Sequence, residues 1–420
     1  MRIWAIEMRH SAVVWAIVPV TIGWVWLSFS RSFMWLGAWP AASAWATAPV
    51  AYAVIVLGAL VAAEAARRRV SAPTAAVRMS RRGWIAVSIH LGAGLVLSLV
   101  PMVCALVAVT VRNAGTAPSG NLWLSYVVFA SAVAIAALCA AHLIGFAVPS
   151  VPIGALAGAA VGFIATAYAE IPLSGPPDMD ISTTRLTVAV VIAIASILLA
   201  VVVPTRVVTT TSSRALSGYR VAAAVAALGC TVAVIASPMV GPVQSPRVAP
   251  SSPTCSTTTP RVCVWPEHSA YLPMLTPVAE RIAHAADGVL TVPDEFLQNG
   301  LASSPGANNT FTWLALDAGI WQASEGIADA ILNTTYMPRN CWPQTDAGWD
   351  QRRNLNGQLR YWLTARGYAA DRPAAYHGNF DDTTIAKDTL KLDDASQKQW
   401  AAGIVQQIDA IPCVVQQPES

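Results

Sequence analysis

Apolar residues run in long blocks through the first half of the chain and at helical spacing through the second, and the pattern changes near residue 241. Seven blocks, near residues 11–29, 47–66, 84–110, 124–146, 153–170, 187–204 and 221–241, approach the roughly 20 helical residues needed to cross a bilayer's hydrocarbon core. Residues 11–241 are therefore expected to form an all-α polytopic membrane domain of about seven transmembrane helices. Residues 242–260 are rich in Pro and Ser and predict an extended linker without packed structure. Beyond it, RVCVW at 261–265 and GVLTV at 288–292 read as short strands, with Thr276 and Pro277 placed to cap and open a helix between them. Trp313, Leu316, Ile320, Ile327 and Ile331 mark an amphipathic helix; Leu355, Leu359 and Trp362 mark another, and Trp400, Ile404, Ile408 and Ile411 a third. Residues 261–420 are expected to fold as a helix-rich α+β domain.

Charge orients these elements. Assigning the connecting segments alternately to two sides puts Arg2, Arg9, Arg67, Arg68, Arg69, Arg78, Arg81, Arg82, Arg206, Arg214 and Arg220 on one side. Only Arg31, Arg112 and Arg185 fall on the other, so the arginine-rich side is expected to be cytoplasmic. The N-terminus then lies inside, residues 1–10 can rest along the inner membrane surface, and residues 261–420 lie outside the cytoplasm. The halves carry opposite charge: fourteen arginines against five acids up to residue 241, and twelve bases against eighteen acids after it. The modest overall charge therefore hides two opposed halves and gives no nucleic-acid signal. Small residues at Ala42-Ser43-Ala44 lie too far past the first apolar block for a secretory cleavage site, so that block is expected to remain as a span.

The cysteines agree with this orientation. Cys104, Cys139 and Cys230 fall within expected spans, whereas Cys255, Cys263, Cys341 and Cys413 fall in the outer segment, where an oxidising compartment permits disulfides. Three pairings are possible; the favoured reading is a local clasp of Cys255 with Cys263 and a long-range tie of Cys341 with Cys413. Trp24, Trp26, Trp35, Trp39 and Trp45 cluster around the first outer loop and suit an interfacial aromatic belt.

Within the spans, Gly154, Gly158, Gly162 and Thr166 recur every four residues, a small-residue face that lets helices approach closely, against this chain or a second copy. Glu64, Glu170, His90 and His142 lie near span ends, where interfacial placement would satisfy them. Outside the membrane, Glu267-His268 is the best local candidate for chemistry, joined at most by His284 and His377. The chain contains no H-E-x-x-H, no G-x-S-x-G, no close Cys/His ligand set and no G-x-x-x-x-G-K-[ST]. It therefore carries no recognisable catalytic, cofactor or metal motif, and any ATP hydrolysis is expected from a partner.

The stretch WLGAWPAAS at Trp35 to Ser43, the span ending AAEAARRR at Ala62 to Arg69, and the resumption at Arg81-Arg82-Gly83-Trp84 resemble the permease subunits of ABC-2-type transporters from GC-rich Gram-positive bacteria. CVWPEH, Cys263 to His268, resembles a segment of the extracytoplasmic domain attached to some of these permeases. The resemblance implies a plasma-membrane, multi-pass permease with six core transport helices and a second permease chain completing the pathway. It also implies a separate P-loop ATPase docking at the loop of Arg67, Arg68, Arg69, Arg78, Arg81 and Arg82. A seventh span departs from the family's simplest pattern and would turn the C-terminal domain outward. The alternatives are a membrane-anchored extracytoplasmic binding or sensory protein without transport activity, and an ectoenzyme using Glu267 and His268.

Overall fold

A computed structural model describes residues 12–71, 83–115, 120–148, 150–172, 174–176, 178–208, 213–302, 308–311, 321–336, 341–368 and 384–415. The chain divides into two compact units. The first comprises Met1–Ser32, Trp39–Asn113 and Asn121–Ser245; the second comprises Pro246–Ser420 with the short segments Phe33–Ala38 and Ala114–Gly120.

The first unit is helical: α1 (Ala12–Phe29), α2 (Trp39–Thr47), α3 (Val50–Ser71), α4 (Gly83–Ala114), α5 (Leu124–Ala147), α6 (Val151–Ala169), α7 (Thr183–Val208) and α8 (Ser213–Ala236). Among the described residues, Trp39–Arg67, Leu91–Ala114, Leu124–Ala147 and Thr183–Val203 are long and apolar enough to cross a membrane. Val13–Phe29, Val151–Ala167 and Val221–Ala233 are apolar but shorter. Apolar side chains such as Trp15, Val18, Ile22, Val191, Ile194 and Leu198 point outward. Water would penalise that surface, whereas lipid matches it.

Helix α5 is the hub. It is buried on most of its circumference and meets α3, α6, α7 and α8, which explains why alanine recurs along it: small side chains admit neighbours on every face. Helices α3 and α6 are packed backbone against backbone. A Cβ on Gly58 would lie 2.8 Å from the Gly158 carbonyl oxygen, and one on Gly162 would lie 2.6 Å from that of Val54. A Cβ on Gly158 would overlap the Gly58 carbonyl, and one on Gly145 of α5 would overlap that of Ala62. The small-residue face of α6 thus meets a helix of its own chain. Thr166 bonds within its own helix, its hydroxyl donating to the Gly162 carbonyl at 2.9 Å, and adds no link across the interface.

Two expectations for this unit need correction. Trp24 and Trp39 are buried; the Trp24 indole donates to the Ala46 carbonyl at 2.9 Å, while Trp26 is exposed. These two rings pack inside the unit, Trp24 from within α1 and Trp39 from the start of α2, where large rings fill space beside small neighbours. The segment expected to be a structureless linker is also ordered in part. Strand β2 (Gln244–Pro246) pairs with β1 (Met179–Ile181), and the Gln244 amide donates to the Tyr126 hydroxyl at 2.8 Å and the Ser174 carbonyl at 3.0 Å.

The second unit contains a four-stranded sheet in the order β3 (Thr254–Cys255), β4 (Arg261–Val264), β5 (Glu295–Gln298) and β6 (Thr310–Phe311). The first pair is antiparallel and the other two are parallel. Helix α9 (Leu272–Ala286) makes the β4-to-β5 crossover, followed by α10 (Trp321–Tyr336), α11 (Asp346–Tyr368), α12 (Thr384–Thr389) and α13 (Asp394–Asp409). Val262, Phe296, Ile282, Ile331, Leu359 and Trp362 meet in its core. Arg261–Val264 forms the first expected strand, but GVLTV does not form the second, which falls at Glu295–Gln298. Gly288 takes φ +78 just past α9, and Pro293 cannot donate to a ladder, so residues 288–292 connect the two elements. Helix α9 begins at Leu272, with Pro273 in its first turn, and Pro277 lies inside it. Ile327 and Ile331 lie on α10, while Trp313, Leu316 and Ile320 lie outside the described residues.

Cys255 and Cys263 face each other across β3 and β4 and form a disulfide. Cys413 is also disulfide-bonded. Its strand β8 (Cys413–Val415) pairs antiparallel with β7 (Cys341–Pro343), although the Cys341 side chain lies outside the described residues.

The α3–α6 contact generates a stability prediction. Gly158→Leu must separate two backbones and is expected to cost at least the ~1–3 kcal/mol of an overpacked core. Gly229→Leu, whose Cβ would meet nothing within 4 Å, is expected to be neutral. Thermal melts of the detergent-purified protein by size-exclusion chromatography check the contrast; equal midpoints would refute the tight interface.

Candidate functional site

Polar residues inside the helical unit gather at two places along α5. The first lies where α6 ends and α7 begins. Helix α6 terminates at Glu170, which takes φ +53, a left-handed conformation usually given to glycine at a helix C-terminus. A non-glycine residue there costs on the order of 1 kcal/mol or more, so the side chain offsets that cost by its contacts. Glu170 Oε2 accepts from Arg185 Nη2 at 3.0 Å. The same nitrogen lies 3.5 Å from the Ala169 carbonyl, at the negative end of α6.

Arg185, in the first turn of α7, is 1% exposed, whereas the Glu170 side chain is 51% exposed. Nε and Nη1 of Arg185 have no hydrogen-bond partner among the described residues. The guanidinium lines a cavity whose remaining walls are Phe129, Ala132, Val133 and Ala136 of α5, Ala169 of α6, and Ala189 and Ile192 of α7. Each helix contributes one face: positions 129, 132, 133 and 136 on α5, and 185, 189 and 192 on α7. Nearby, the Ser125 hydroxyl donates to Asp180 at 2.6 Å and the Ser182 amide to the Val243 carbonyl at 2.9 Å, tying β1 and β2 to the start of α5 and α7.

The second place lies at the other end of α5. Glu64 of α3 and His142 of α5, 2% and 1% exposed, line a small cavity with Val13, Val61, Leu91, Gly94 and Leu95. Arg67 Nη2 is 3.9 Å from Glu64, an ion pair too long for a hydrogen bond. Glu64 and His142 are thus interior groups rather than the interfacial ones expected. Their positions were legible in the sequence, but their burial was not, because it depends on helices tens of residues away.

Of the basic segment, Arg67 is exposed at the end of α3. The side chains of Arg68 and Arg69, and all of Arg78, Arg81 and Arg82, lie outside the described residues, as does the His90 side chain.

In the second unit, Glu267 and His268 are not brought together. Glu267 accepts from Arg247 Nη1 at 2.7 Å, and the Arg247 guanidinium stacks 4.1 Å from the centre of the Trp265 ring. His268 turns inward, where Nδ1 lies 2.9 Å from Gln298 Nε2 and 3.1 Å from its Oε1. Gln298 Oε1 also accepts from the Trp265 amide at 3.0 Å. This arrangement ties β5 to the segment that follows β4; among the described residues no cluster of ligating side chains occurs. His284 is placed in the last turn of α9, and His377 lies outside the described residues.

Two groups in this unit titrate with opposite sign, buried His268 and Asp329, whose side chain is 39% exposed. Burial pushes the His268 ring below its usual range, helped by Arg247 and opposed by Gln298 and Glu267. Burial raises the Asp329 carboxyl to about 6, with Arg360 opposing and Glu325 adding to the rise. As pH falls below about 6.5, the unfolded chain binds a proton that folded His268 refuses, so the sheet loses stability. As pH falls through about 6, folded Asp329 binds a proton that the unfolded chain does not yet hold, so α10 gains stability. Hydrogen exchange between about pH 7.5 and 5.5, corrected for intrinsic rates, is expected to show weaker protection of β4–β5 and stronger protection of α10. Asp329→Asn is expected to remove only the second change.

Residues 262–410, within the second unit and less than half the chain, match the family model described as a domain of unknown function (DUF7224). No curated protein and no solved structure matches the chain.

Proposed function

We propose that this chain is the membrane-spanning subunit of an ATP-driven exporter of ABC-2 type. In this reading it crosses the plasma membrane seven times with its N-terminus inside. A separate P-loop ATPase docks at residues 67–82, a second permease chain completes the pathway, and the DUF7224 domain faces the exterior.

The observation that carries the reading is the buried Arg185 guanidinium, turned toward an apolar cavity inside the helical unit. The contact with Glu170 and the end of α6 uses one nitrogen of Arg185, and Nε and Nη1 are left without a hydrogen-bond partner among the described residues. In a membrane interior ionisable groups are costly and mark pathways for polar or charged species. The Glu64 and His142 cavity adds a second such place. The Cys255–Cys263 disulfide suits an oxidising compartment for the second unit. The Arg-rich segment after α3 suits both the cytoplasmic side and an ATPase interface.

One observation favours the second reading, a membrane-anchored binding or sensory protein: the family match falls wholly within the second unit. A pull-down from native membranes separates the two. The exporter predicts recovery of a P-loop ATPase, lost when Arg67, Arg68 and Arg69 are replaced together by Gln. Quantitative recovery of the chain with no ATPase bound would replace the exporter by the anchored domain.

A further inference from the structure

We infer that the Arg185 cavity is a recognition site for the head group of an anionic amphiphile, a phosphate or carboxylate carried on a hydrocarbon tail. This deepens the exporter reading, on which only the status of the amphiphile as cargo depends; binding itself does not require an ATPase.

The inference starts from how the guanidinium is used. It carries five N–H donors in a rigid fork. Nη2 is committed to Glu170 and the end of α6, while Nε and Nη1 have no hydrogen-bond partner among the described residues although the side chain is 1% exposed. Donors buried in this way cost free energy until an acceptor reaches them. The charge is equally unbalanced. Half-exposed Glu170 is screened by its surroundings, whereas the cation faces a cavity with low-dielectric walls, so the cavity experiences a positive field. The opposing charge is held in place by a strained αL residue, which fixes the fork instead of letting it snorkel to the surface.

The walls define the rest of the ligand. Apart from Arg185 they are Phe, Ala, Val and Ile side chains, which offer an anion no second polar contact but suit hydrocarbon. The cavity is small, with about the room of one water molecule, so a single phosphate or carboxylate oxygen, not a whole head group, reaches the guanidinium inside it. Ala189 and Ile192, the α7 side of these walls, are half-buried, so a tail leaving the guanidinium runs over apolar side chains toward the rim of the cavity. A charged head joined to an apolar tail satisfies both features; a hydrophilic anion satisfies only the first.

The test uses the full-length protein in lipid nanodiscs without an ATPase, labelled by a phosphatidic acid that bears a photoreactive group near its head. Labelling is expected on the peptides containing Phe129 and Ile192. Arg185→Lys retains a charge for Glu170 but loses the fork. Ala189→Phe fills the cavity and leaves the ion pair intact. Each is expected to cut labelling roughly tenfold or more, as loss of charged hydrogen bonds implies. Size-exclusion profiles identify the folded variants. Unchanged labelling in either folded variant overturns the site. Competition by millimolar inorganic phosphate as effective as by unlabelled phosphatidic acid overturns the amphiphile and makes the ligand a water-soluble anion. Failure to recover an ATPase in the pull-down would remove the word cargo while leaving these labelling results intact.

Discussion

Contact between the backbones of α3 and α6 is the constraint on which the helical unit depends. Lipid offers no hydrophobic reward for helix association, so membrane helices gain stability from close packing, and close packing needs positions without side chains. Gly58, Gly158 and Gly162 supply them between α3 and α6, and Gly145 supplies one between α5 and α3. Once these three helices are locked together, α5 becomes an interior element with α7 and α8 placed against its remaining faces. The two polar places follow from that arrangement, since each is lined by α5 and by a helix packed on it.

The two units solve different problems. In the second, the hydrophobic effect builds a conventional core, with Phe296, Ile331 and Trp362 buried between sheet and helices and a disulfide across β3 and β4. Polar groups there brace the fold: Arg281 donates to the Gly367 carbonyl at the end of α11, and Asp393 caps α13 by accepting from the Ser396 amide at 3.0 Å. Glu267 and His268 belong to this bracing, each engaged by a neighbour. In the first unit, Arg185 also braces the fold through Glu170 and the Ala169 carbonyl, but its Nε and Nη1 have no hydrogen-bond partner among the described residues.

Much of the architecture is legible along the chain, because apolar length and helical spacing are local properties. All seven apolar blocks are helical in their described residues, and among the described residues four apolar stretches are long enough by themselves to cross a bilayer. The Cys255–Cys263 clasp is legible for the same reason, being closed within one strand pair. Strand placement is less so. GVLTV has the composition of a strand, but α9 ends at Ala286 and leaves it as the connection, and the strand forms where parallel pairing with β4 buries Phe296. The site is least legible. Arg185 reads as one of three arginines marking an outer face, and only the approach of residues 129–136 and 169 converts it into an interior group.

The exposure of the charged pairs at the two ends of α5 is inverted. At one end the cation Arg185 is buried and its partner Glu170 is half-exposed; at the other the acid Glu64 is buried and its neighbour Arg67 is exposed. Surface members are screened by solvent and ions, whereas interior members are not, so the buried residues dominate the field inside the bundle. Phe129 and His142 are thirteen positions apart on α5, which places the two ends ~20 Å from each other along the helix. The bundle thus buries a basic side chain at one end of α5 and an acidic one at the other, which gives its two ends different chemistry where apolar packing alone would make them alike.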